Sequence, residues 1–258
     1  QKRAQEGEAE RRDTTVPIPP PPKKQPSLSS KDKNGSATLS DEESVRVKTD
    51  LYQISIGKMG GGIDKVELLD YPITLGTPDE PIHLLNNTPP LFYVAQGGLL
   101  SEKGGPTHES KFSTSNNNYI LEEGKNSLIV PLIWESENGI KIKKTYAFTR
   151  NSYLVEIRYE VKNQSGESWE GHAYNQLQRS DPGRESRILY TYTGAIISSP
   201  EKRYEKLSFS DMDEEKLNID IVNGWAAMLQ HYFVSALIPA SRDEKNHYYT
   251  QAHKDNRY

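Results

Sequence analysis

The sequence contains no cysteine among its 258 residues. That absence excludes a disulfide scaffold, thiolate zinc sites, iron–sulfur ligation and cysteine nucleophiles. It does not fix the compartment, because a chain without thiols is stable in either redox environment. A surplus of positive charge is also missing: 32 Lys+Arg stand against 36 Asp+Glu, for a net charge of −4 and a pI near 5.9. No global basic field exists to recruit nucleic acid or an anionic membrane surface. Long apolar runs are absent too, and none approaches the roughly 20 residues of a membrane-spanning helix. The chain opens on Gln1, not Met, as a fragment or processed product would.

Aromatic residues are absent from positions 1–43, which hold 8 basic and 8 acidic residues and 6 of the 16 prolines. The run Pro17-Ile18-Pro19-Pro20-Pro21-Pro22 favours extended polyproline II, and Ser27 to Ser44 is polar and small. Such a segment cannot bury enough apolar area to offset its conformational entropy, so residues 1–43 are expected to be a disordered tether. The alternative is a Pro-rich recognition ligand, but no spaced Arg–Pro-x-x-Pro pattern accompanies the prolines. All 23 aromatics fall in residues 44–258. Those 215 residues should bury roughly 70% of their unfolded surface, enough for a substantial core.

Period two dominates that remainder. Val45 and Val47 alternate with Arg46 and Lys48, then Tyr52, Ile54 and Ile56 alternate with Gln53 and Ser55. The parity switch across Thr49-Asp50 predicts a turn or bulge between two strands. Further strands are expected at Ile63–Leu68, Ser127–Trp134, Ile140–Thr149 and Tyr153–Val161. The run Arg150-Asn151-Ser152 marks a hairpin between the last two. Glu170–Gln178, Ile188–Thr193, Leu217–Val222 and Tyr232–Ile238 complete the set, while Ser199 to Lys206 is expected to form a turn or two of helix. Short strands joined by Gly, Asn and Pro turns predict an all-β fold, a large single antiparallel sandwich.

Chemical motifs are scarce. Gly60-Gly61-Gly62 lacks the Lys-Ser/Thr of a phosphate loop and precedes no helix pattern, so it reads as a tight turn needing positive φ. There is no Gly-x-Ser-x-Gly elbow. The six histidines, His83, His108, His172, His231, His247 and His253, show no i, i+2 or i, i+4 pairing of a local metal site. His172 and His231 each lie in an aromatic β segment. Two histidines and a carboxylate in a sandwich cleft could open a sugar ring by general acid–base transfer. The structural alternative is that both are satisfied sheet histidines beside core aromatics. Glu156, Glu160, Asp211 and Glu214 read as solvated strand or loop charges. The run Ser199 to Lys206 reads as a mixed-sign exposed face, able to dock a partner yet equally explained by solubility.

The stretch Asn223-Gly224-Trp225-Ala226-Ala227-Met228-Leu229-Gln230-His231-Tyr232-Phe233, running into Ile238-Pro239, resembles the periplasmic domain of the YidC membrane insertase family. Three further stretches match in order: Val45 to Asp50 with Gly61-Gly62 beyond it, Ser199 to Lys206, and Leu217-Asn218-Ile219. The resemblance covers about residues 44–258, and the Pro-rich tether sits where the family has a variable linker. It implies a β-supersandwich similar to galactose mutarotase, on the periplasmic side of the bacterial inner membrane. In the family, insertion and folding of membrane proteins, alone or with the Sec translocon, belong to a membrane core absent from this sequence.

The resemblance therefore implies a non-catalytic interaction module, with no catalytic residue, cofactor or metal. Its implied partners are SecD, SecF, SecYEG and nascent membrane proteins, with no nucleic acid. A SecF-contact face corresponds to about Leu189 to Ile238 and includes Tyr192, Gly194, Tyr204, Glu205 and Lys206. Gly61, Gly62, Gly224, Trp225, Met228, Tyr232, Phe233 and Pro239 carry the family motif as structural residues. The family continues through more strands past Thr250, so the sandwich is expected to be truncated at its C-terminal end. The alternative function is an aldose epimerase-like or carbohydrate-binding protein using His172 and His231.

Overall fold

The computed structural model describes residues 43–74, 76–77, 79–89, 92–183, 192–230, 232–253 and 255–258. The tether expected at 1–43 lies outside them, apart from its last residue.

The paired valines and isoleucines of the first hundred residues build the larger sheet. Its strands are β1 (Ser44–Lys48), β2 (Tyr52–Gly57), β3 (Ile63–Pro72), β4 (Pro81–Leu85), β5 (Tyr93–Leu100), β6 (Asn118–Ile120) and, later in the chain, β10 (His172–Arg179). The order is β10-β5-β3-β2-β1-β6, with β4 also on β3; pairing is antiparallel except between β1 and β6. The expected parity switch is a turn closed by a side chain. Thr49 Oγ1 accepts from the N–H groups of Leu51 and Tyr52, both at 3.2 Å. Val45, Val47, Ile54 and Ile56 can then all face inward, 0–2% exposed, each contributing about 1.5–3 kcal/mol of burial.

Three strands face this sheet: β7 (Ser127–Glu135), β8 (Ile140–Thr149) and β9 (Val155–Asn163), in that order. The hairpin predicted at Arg150-Asn151-Ser152 joins the last two, with Asn151 in the left-handed region at φ 57°. Strand β7 is one-faced: Val130 and Leu132 are buried, while Ile129 is 51% exposed. Its continuous apolar run reflects a lightly covered outer face, not burial on both sides.

The C-terminal third adds β11 (Thr193–Ser198), β12 (Glu205–Leu207), α1 (Phe209–Glu214), β13 (Asn218–Val222), β14 (Trp225–Gln230), β15 (Phe233–Leu237) and β16 (Lys245–Tyr249). These form a four-stranded sheet, β12-β11-β14-β15, and a two-stranded one, β13-β16. The helical turn expected over Ser199–Lys206 does not form. Pro200 and the bends after it carry the chain into β12, and the helix starts ten residues later. There Ser208 and Asp211 make a capping box, each side chain bonding the other's N–H at 3.1 and 2.7 Å. The strand expected over Ile188–Thr193 falls outside the described residues as far as 191. Met228, Phe209 and Met212 join the first sheet's valines and isoleucines in one core cluster, so the C-terminal third shares that core.

Candidate interaction face

The residues expected to contact a partner gather at the β12 edge of the four-stranded sheet. Ser199 turns the chain there, its carbonyl-side neighbour Lys202 donating its N–H to Ser199 Oγ at 3.0 Å. Lys206 then lies opposite Ile196 and Glu205 opposite Ile197. Successive strand side chains alternate, so Tyr204 and Lys206 share one face and Glu205 takes the other. Lys206 Nζ sits 4.6 Å from the Tyr192 ring centroid and 5.8 Å from that of Tyr204. Stacked cations of this kind are worth about 0.5–1 kcal/mol at exposed sites. Tyr192 is fixed in turn by its hydroxyl, which donates to the Ala195 carbonyl at 2.8 Å. Its ring folds over Gly194, where a Cβ would approach the Tyr192 hydroxyl to 2.6 Å and the Leu207 carbonyl to 2.9 Å. Glycine is required there by close approach.

Tyr192, Gly194, Tyr204 and Lys206 thus form one patch, with Tyr204 56% exposed. Glu205 stands behind it, paired with Lys202 at 2.9 Å. Leu189, the start of the expected face, lies outside the described residues. At the far side of the same sheet, Val234 of β15 and Ile238 just past it are both more than half exposed.

The motif residues take distinct places. Gly61 has φ 55° in the turn joining β2 to β3, beside Gly62. Gly224 follows Asn223, itself at φ 58°, in the turn from β13 to β14. Trp225 pairs with Ser198, and Met228 is buried opposite Ala195. Phe233 meets Tyr71 edge-on at 5.4 Å. Pro239 is half-buried just past β15. Tyr232 points outward, 85% exposed.

A catalytic reading gains no geometry. His231 lies outside the described residues. His172 begins the edge strand β10 opposite Leu100, exposed, and bonds to no carboxylate among the described residues. Glu156 pairs with Arg158, Glu160 with Lys143, and Asp211 caps α1. A shallow depression of about 570 Å³ on the outer face of β7–β9 is lined by Ile129, Pro131, Ile133, Thr145, Arg158 and Glu160 among others, and by no histidine. Among the described residues no three His, Asp or Glu side chains are placed to hold a metal.

Two ionisable groups escaped the sequence reading. Lys144 on β8 is 1% exposed, and burial pushes its amine down to about 7. Its signal was present: in Ile140-Lys141-Ile142-Lys143-Lys144-Thr145-Tyr146-Ala147-Phe148 it occupies the inward parity between Ile142 and Tyr146. Asp64 on β3 is pushed up to about 7, also by burial.

Comparison with known families matches residues 44–258 to the YidC periplasmic domain. The membrane protein insertase YidC of Nitrosococcus oceani is 38% identical over 243 residues, covering 93% of this chain and 43% of that protein. The membrane protein insertase YidC of Alkalilimnicola ehrlichii is 40% identical over 226 residues, 86% of this chain and 40% of that protein. That of Coxiella burnetii is 37% identical over 208 residues, 80% and 37%. The chain spans about two-fifths of the length of these relatives.

Proposed function

The chain belongs to the YidC periplasmic-domain family, and on that premise we propose that it is the periplasmic interaction module of a bacterial inner-membrane protein insertase. In this reading the whole protein integrates and folds membrane proteins, alone or with the Sec translocon. The described part contributes by docking, not by catalysis. The observation that carries the reading is the patch of Tyr192, Tyr204 and Lys206, a cation held between two tyrosine rings on an exposed edge strand. A mixed aromatic and cationic surface of this kind suits a modest, partly polar protein interface. SecF is the proposed partner at this face, with SecD, SecYEG and nascent membrane proteins in the wider assembly.

The test is site-specific photo-crosslinking from position 204 of the full-length protein in native membranes. An adduct with SecF, lost when Lys206 is reversed to Glu, is the expected result. Absence of any Sec adduct from an intact complex would overturn the proposed docking role. Hexose binding or mutarotase activity that disappears in His172→Ala would overturn the non-catalytic reading.

A further inference from the structure

An asparagine followed by glycine can react with its own backbone. The glycine nitrogen attacks the side-chain amide carbon, and no Cβ stands in the way of the approach. The sequence holds three such pairs: Asn34-Gly35, Asn138-Gly139 and Asn223-Gly224. The first lies outside the described residues. The other two stand in turns of opposite character, and that contrast decides which can react.

Asn138-Gly139 closes the hairpin between β7 and β8. Glu137, Asn138 and Gly139 are all exposed. The Gly139 carbonyl is held by the Gln164 N–H at 2.9 Å. Its nitrogen is held loosely, reaching the Ser136 carbonyl only at 3.4 Å, outside the roughly 2.7–3.2 Å of a normal N–H···O bond. Ser136 Oγ donates to Asn138 Oδ1 and accepts the Ile140 N–H at 2.9 Å. A donor on the amide oxygen draws electron density from Cγ and faces the negative charge that grows there during attack.

Asn223-Gly224 is clamped. Asn223 is held at φ 58° and Gly224 is buried. The Gly224 carbonyl accepts from the Tyr248 hydroxyl at 2.8 Å. A Cβ on Gly224 would come within 2.7 Å of both Ile221 Cγ2 and the Ser198 carbonyl oxygen. The backbone therefore has no room for the rotation that brings the Gly224 nitrogen onto the Asn223 side chain.

We propose that Asn138 is a site of spontaneous deamidation, with water as the only co-reactant. The Gly139 nitrogen forms a bond to Asn138 Cγ and gives up its proton to solvent. The Cγ–Nδ2 bond breaks and ammonia leaves with a proton, closing a succinimide ring. Water then opens the ring at one carbonyl or the other, leaving aspartate or isoaspartate. Either product adds a carboxylate to a turn that already carries Glu135 and Glu137. Isoaspartate also lengthens the backbone between Glu135 and Lys141, which pair across the two strands and form an ion pair.

The test is peptide mapping of the full-length protein during incubation in mildly alkaline buffer, folded and in urea. Loss of ammonia and gain of water raise the mass of the affected peptide by one unit, so each asparagine is read separately. In the folded protein Asn138 should react about tenfold or more faster than Asn223. Unfolding should bring the two rates together, chiefly by raising that of Asn223, while Asn138 changes by less than about tenfold, as expected of a turn that opens at little cost. Equal rates in the folded protein would overturn the proposal. So would a folded chain that suppresses the reaction at Asn138 as strongly as at Asn223.

Discussion

Lys144 Nζ, on the middle strand of the three-stranded sheet, donates at 2.7 Å to the carbonyl of Gly61, in the turn between β2 and β3 of the facing sheet. A second bond, at 3.3 Å, reaches the Gly97 carbonyl of β5, so one side chain ties β8 to two points of the opposite layer. The nitrogen sits 5.3–5.9 Å from the ring centroids of Phe112, Tyr146 and Tyr159. Tyr146 also donates its hydroxyl to the Gly61 carbonyl. No carboxylate forms an ion pair with Lys144 among the described residues. Among the described residues, carbonyls and ring faces compensate its lost hydration without a carboxylate, and burial lowers its pKa.

The first prediction concerns this lysine and pH. The unfolded chain holds the proton up to about 10.5 and the folded chain only to about 7. Between those values the unfolded state binds more protons, so stability rises with pH; below 7 the full penalty remains. Lys144→Met removes that penalty and fills a similar volume. It should leave stability at pH 7 unchanged or raise it by about 1–3 kcal/mol, and flatten the rise between pH 7 and 10. Urea unfolding of both proteins at several pH values measures the difference. A pH profile identical in the two would refute the account of a buried, desolvated amine.

Asp64 works in the opposite direction. Its carboxyl lies over Gly57, and burial raises its pKa from 3.8 to about 7. The folded state is the better proton binder between pH 3.8 and 7, so this group's contribution falls as pH rises through that window and stays low above it. Asp64→Asn should therefore stabilise the protein at pH 8 and have little effect near pH 4. Thermal unfolding at the two pH values decides; an equal shift at both would point to packing and not charge.

Gly61 tests the turn beneath the lysine. Its φ of 55° disfavours any side chain, and a Cβ would press to 3.1–3.2 Å on Phe112 and Leu132. Gly61→Ala should cost about 1–3 kcal/mol and lower the Lys144 penalty's pH midpoint only if the carbonyl moves. Chemical denaturation gives the cost, and a variant as stable as the parent would contradict the geometry.

At the proposed interaction face, Tyr204→Ala and Lys206→Glu should each weaken partner capture while leaving the melting temperature within about 2 °C, because both side chains stand on an exposed edge. Gly194→Ala should weaken capture and also lower the melting temperature, since its Cβ would strike the Leu207 carbonyl and displace Tyr192. Co-purification from membranes alongside calorimetry separates the effects. Loss of stability in Lys206→Glu would recast the patch as structural.

Much of this was legible in the chain. Alternation at Val45–Lys48 and Tyr52–Gly57, the hairpin at Arg150-Asn151-Ser152 and the Gly60–Gly62 turn each rest on local rules, because facing and φ are set by neighbouring residues. Other features were not. Strands β5 and β16 have weak alternation and are held by partners distant in sequence, His172–Arg179 for β5 and Asn218–Val222 for β16. The short helix appears at Phe209, where Ser208 and Asp211 cap it, and not at Ser199, where a Ser199–Lys202 turn is followed at once by Glu205–Leu207 pairing with β11.

From sequence alone, the absence of cysteine excluded thiol chemistry, and the two-residue alternation between Gly, Asn and Pro turns determined an all-β chain. The four motif stretches determined its family. Only the tertiary structure decided that Lys144 is buried, that Tyr192 and Lys206 meet across 14 residues of chain, and that β16 pairs with β13. The physical reason is common to all three. Desolvation, ring stacking and strand pairing depend on which distant segments share a surface, and a residue's local pattern carries no record of what lies opposite it.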